Sequence, residues 1–107
     1  MEGLEISASA VAQVAIMARE LERAEPELRA FIDRMDETEQ AELVALMWIG
    51  RGAFDAAEIE EAVETALAEA STPCATYLLG TPHLSDHLEA ALEQFGIDVS
   101  DVEDELM

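Results

Sequence analysis

Lysine is missing from this sequence altogether, and the five arginines are outnumbered by 25 acidic residues, leaving a formal net charge of −20. Repulsion on that scale opposes approach to phosphate backbones and anionic lipid headgroups, so no nucleic acid and no membrane surface is expected as a partner. Arg19, Arg23, Arg29, Arg34 and Arg51 all precede Gly52, and beyond it the only other ionisable side chains besides acids, Cys74 and Tyr77 are His83 and His87. A basic protein partner, or solubility alone, is the implied counterpart of that charge. Cysteine is nearly absent too: Cys74 stands alone, which excludes an internal disulfide framework and agrees with a reducing compartment. The chain starts with Glu2 and Glu5 where a secretory leader would carry positive charge, and the apolar run 10–18 is too short to span a bilayer. A cytoplasmic location is therefore expected.

Aromatic residues are few, with three Phe, one Trp and one Tyr, and no polar–apolar alternation of useful length is flanked by hairpin turn signals. Both shortages argue against a β-rich core. What the chain has instead is Ala, Leu, Val and Met, which suit thin helices in close approach. Its 107 residues fit one domain. The expected fold is all-α, a compact bundle of about five to six short helices spanning residues 1–97, followed by an acidic turn or tail at 98–107.

Periodicity and capping signals place the helices. Ser7 or Ser9 caps a first helix running to about Ala24, with Val11, Val14, Met17 or Ala18, and Leu21 at helical spacing. Only Gln13 is polar between residues 10 and 18, so this helix is expected to be buried on more than one side, in mid-bundle or across a subunit interface. Pro26 suits the first position of a second helix. Asp36 with Glu39 forms a capping box ahead of a third, strongly apolar helix that Gly50 and Gly52 stop. Asp55 with Glu58 repeats that start before the clearest period in the chain: Ile59, Ala62, Val63, Ala66, Leu67 and Ala70 inside, acids outside. Thr72–Pro73 and Thr81–Pro82 open two more helices, and Gly96–Ile97 reads as a left-handed cap with a hydrophobic residue folding back.

The pieces AELVALMWIGRGAF (41–54) and ATYLLGTPHLSDHLEAALEQFG (75–96) are distinctive together. Through them the stretch 36–96 resembles a family of small bacterial proteins known only as a domain of unknown function. The resemblance implies a helical bacterial protein and supplies no activity.

Several polar residues invite chemistry. His83 and His87 lie four apart with Asp86 between them, so one helical turn would bring both imidazoles toward a metal ion. A zinc site needs a third protein ligand, and two exposed histidines near a helix start are the plainer expectation. Arg51, between two glycines, would grip a carboxylate or phosphate, or else cap its own helix. Cys74 in a first turn would gain thiolate character from the helix dipole, against which the surrounding acids act; a small buried side chain is the stronger reading. Trp48 and Tyr77 invite a ligand pocket, but their place on apolar stripes makes core packing the stronger reading, with the tyrosine hydroxyl reaching a partner at the rim. The acidic faces read as solvated.

Catalytic signals are thus sparse and helix signals many. The sequence points to a noncatalytic protein-interaction or regulatory module without a cofactor, self-associating through Val11, Val14, Met17 and Ala18 of the first helix. A metal-binding protein or metal-dependent hydrolase built on His83, Asp86 and His87 is the alternative.

Overall fold

The computed structural model describes residue 1 and residues 3–97. Six α-helices account for most of these, and no strand occurs among them: α1 (Ala8–Arg19), α2 (Leu21–Asp33), α3 (Glu37–Arg51), α4 (Ile59–Ala68), α5 (Cys74–Leu79) and α6 (Leu84–Gln94). The acidic turn or tail expected at 98–107 lies outside the described residues.

Helix α3 is the axis of the bundle. Nine consecutive residues, Ala41 through Ile49, are buried, which requires cover on all sides. α4 and α6 pack on α3, α1 packs on α6 and α2, and α5 bridges α2 to α3. Its start is held as its sequence requires: the Asp36 carboxylate accepts from the Glu39 amide at 2.8 Å, and Glu39 accepts from the Asp36 amide at 3.2 Å. Its end is made by Gly52 alone, left-handed at φ 92°, with the Ala53 amide returning to the Trp48 carbonyl at 2.9 Å.

Gly50, expected to share in stopping α3, lies inside it and has another task. A Cβ there would fall 1.6 Å from the His87 carbonyl oxygen, so this glycine marks where α3 and α6 cross backbone to backbone. No side chain fits between them.

The first helix is shorter than its apolar pattern suggests. Ser7 caps it, accepting from the Ala10 amide at 3.0 Å, but Glu20 leaves the helical region at φ −119° and ψ 45°, and the chain restarts at Leu21. Pro26 therefore lies inside α2 rather than opening it. The break lets α2 pack against α1 instead of prolonging it.

One acid is spent on the core. Glu42 is 4% exposed and its two carboxylate oxygens accept from the backbone amides of Glu5 at 3.0 Å and Ile6 at 2.9 Å. These bonds fasten the segment before α1 to the middle of α3, with Ile6 fully buried beside them. Gln40 performs a similar service for α2, donating to the Ile32 carbonyl at 2.9 Å. At the other end of the chain Gly96 is left-handed at φ 77°, and the Ile97 amide folds back on the Leu92 carbonyl at 2.9 Å, as the sequence signal implied.

Candidate functional site: an acid-rimmed apolar groove

Helix α4 begins with the expected Asp55–Glu58 signal, Glu58 accepting from the Asp55 amide at 2.8 Å, through a 3-10 turn (Ala56–Glu58). Ala62 and Ala66 are buried against α3, while Ile59 and Val63 are half-buried. Leu67 and Ala70 were expected inside as well, and both are exposed. The reason is length: α4 ends at Ala68, so Leu67 sits in its last turn and Ala70 lies beyond the helix.

The chain then turns through residues 69–73 into α5 and leaves a hollow of about 300 Å³ between α3, the end of α4 and α5. Ala41, Val44 and Trp48 of α3 form one wall; Ala66 and Leu67 form another; Pro73, Cys74 and Tyr77 close the third. Leu67, 42% exposed, and Tyr77, 37% exposed, are the large hydrophobic side chains that the described residues leave in water, and both border this hollow. The Trp48 indole N–H donates to the Tyr77 hydroxyl at 3.0 Å, pinning α5 to α3, and Phe54 stacks on Trp48 with ring centroids 5.9 Å apart. Glu37 and Glu69 stand at its rim, and no Arg or His lines it. Trp48, read from sequence as core, is indeed buried; Tyr77 is exposed rather than core, though its hydroxyl does find a partner.

Cys74 lies half-buried in the same wall, its Sγ 3.7 Å from the Gln40 carbonyl. Burial, reinforced by the negative charge of Asp33, pushes its thiol up to about 12. A first-turn position does not activate it, because its helix of six residues offers little dipole against that desolvation.

Of the two histidines weighed as metal ligands with Asp86, His83 is exposed and His87 half-buried. His83 precedes α6 as its cap residue, left-handed at φ 58°, and its carbonyl accepts from the His87 amide at 3.0 Å. Its Nδ1 faces the Asp86 carboxylate at 3.7 Å, both side chains about three-quarters exposed. Among the described residues no three His, Cys, Asp or Glu side chains come together to hold an ion. Arg51 is exposed in the last turn of α3, where a cation suits the helix terminus, and it does not line the groove.

Of the four residues expected at an interface on α1, Val11 and Val14 are fully enclosed by the chain itself and cannot touch a second copy; Met17 and Ala18 remain half-buried. A second hollow of about 460 Å³ lies where Ala18, Arg19 and Leu21 meet the ends of α5 and α6. It is more polar, and its Arg19 is ion-paired with Glu89.

The groove is thus the place where apolar surface remains. Its signals in the sequence were the apolar stripe on α4 that runs past the helix end and the pair Trp48 and Tyr77, for which core packing was the stronger reading. An all-α bundle with an open apolar groove is the class these features define. The chain belongs to the family of proteins of unknown function DUF3775, whose model matches residues 25–97. That match takes in every residue of the groove and leaves α1 outside. No curated protein and no solved structure matched the chain.

Proposed function

We propose that this protein is a noncatalytic interaction module that engages another protein through the α3–α4–α5 groove. The observation that supports the reading is the coincidence of Leu67 and Tyr77: a protein of this size can enclose most of its large apolar side chains, and the two left in water among the described residues border one concavity. A concave apolar surface beside a Trp–Tyr pair has the composition of interaction hot spots, where aromatic anchors are over-represented. Self-association through α1 loses its support with the burial of Val11 and Val14.

Photo-cross-linking in cells of the native source tests this. A photoreactive residue replacing Leu67 is expected to link a defined partner that the same residue at exposed Glu60 does not. Equal labelling at both positions, or none at either, overturns the reading. Light scattering across a concentration series separates a foreign partner, for which the free protein stays monomeric, from a second copy.

A further inference from the structure

We propose that the groove takes a cationic amphipathic segment: a stretch of another protein whose large apolar side chain inserts beside Trp48 and Leu67 while flanking Lys or Arg residues meet Glu37 and Glu69. This rests on the interaction reading above and names the chemistry of the partner.

Three observations converge on that occupant. The hollow, about 300 Å³ and walled mainly by Ala, Val, Leu, Trp and Tyr side chains, has room for an apolar anchor. Its rim carries two carboxylates and no cation. Helix α4 ends at the rim without a basic residue in its last turn, so the negative pole of that helix is uncompensated and adds to the carboxylates. A partner that brings positive charge neutralises all three; one that brings negative charge adds to them. A second copy of this chain is the wrong occupant on the same grounds, because each copy carries −20 and no Lys or Arg after Arg51. The Tyr77 hydroxyl accepts from Trp48 and keeps its own proton for an acceptor on the incoming chain. Amphipathic helices docked into apolar grooves follow this design of buried anchors and charged flanks.

Trp48 is the only tryptophan in the protein and lies in the groove wall, so its fluorescence reports occupancy directly. The probes are three short synthetic peptides: an amphipathic one of Leu, Ala and Lys; its twin with Glu for Lys; and a scrambled Leu/Ala/Lys peptide with no apolar face. The amphipathic Lys peptide is expected to shift Trp48 emission saturably, with Kd rising as salt is added. The Glu twin and the scrambled peptide are expected to bind at least about tenfold more weakly. Leu67→Gln, checked by an unchanged thermal melt, should raise Kd by about tenfold, and Glu37→Gln with Glu69→Gln should narrow the preference for Lys over Glu.

Equal binding of the Glu twin overturns the charge argument, and equal binding of the scrambled peptide overturns the apolar one. A Trp48 shift driven by the protein's own concentration makes the occupant a second copy and overturns the proposal. Calorimetric binding of the Lys peptide with Trp48 unchanged places the contact elsewhere, which also overturns it. If cross-linking from Leu67 persists while no peptide binds, the interaction reading stands and this account of its partner falls.

Discussion

Residues 10–18 of α1 are apolar but for Gln13, yet among the described residues the large apolar side chains left in water belong to α4 and α5, whose sequences look better behaved. The difference lies in how many neighbours each helix has. α1 is set between α2 and α6, which cover Val11, Ala12, Val14 and Ala15 and leave Ala10, Ile16, Met17 and Ala18 half-buried. α4 packs chiefly on α3, but its apolar stripe runs past its own end at Ala68, so Leu67 in the last turn and Ala70 beyond it are left exposed. Apolar content, then, does not locate the open apolar surface in this bundle; the mismatch between an apolar stripe and the length of the helix that carries it does.

The contrast is broken most directly by putting a charge on each side. Val14→Glu places an unpaired carboxylate in a site with no exposure and is expected to cost about 4 kcal/mol or more, unfolding a domain of this size in a urea titration. A folded, soluble Val14→Glu protein would mean α1 is less enclosed than it is drawn here. Gly50→Ala attacks the other side of the α1–α6–α3 stack: a methyl group that meets the His87 carbonyl forces two helices apart, and about 3 kcal/mol of destabilisation is expected.

Glu42→Ala comes next. It strands the buried Ile6 amide and the Glu5 amide, for an expected loss of about 1–3 kcal/mol, with faster hydrogen exchange concentrated in the segment before α1.

Cys74 sharpens the comparison from inside the groove wall. Its thiol pKa is raised from 9.0 to about 12 in the folded protein, so between those values the unfolded chain releases the proton and the folded one keeps it. Stability from this group is intact below pH 9 and declines as pH rises through that window. Thermal melts of the wild type are expected to fall more steeply across it than those of Cys74→Ala. Alkylation near neutral pH should be slow until denaturant is added.

Leu67→Gln is the smallest effect and the counterpart of Val14→Glu. With 42% of the side chain in water already, its stability should move by no more than about 1 kcal/mol while binding suffers. A large drop in its melting temperature would make Leu67 a structural residue and remove it from the site.

Two helix starts and one helix end were legible because capping is local. Asp36 with Glu39, Asp55 with Glu58, and Gly96 with Ile97 each act within a few residues, and all three occur where the pattern placed them. The break at Glu20 was not legible, since the periodicity of α1 runs smoothly into Leu21 and only packing against α2 interrupts it. Glu42 hid for a similar reason. An acid inside an apolar run looks like a stray surface position until the two amides it holds, 36 and 37 residues away, are in view. The left-handed conformation of His83 before α6 was not announced by Thr81–Pro82.

Residue types and their spacing alone decided that this chain is helical, where most of its helices begin, and that its surface is acidic, because propensity, capping and charge act over one or two turns of chain. Which apolar residues end up covered was decided only by the tertiary structure. Burial depends on what lies across from a side chain, and the partners that seal Val14 and leave Leu67 open come from distant parts of the sequence.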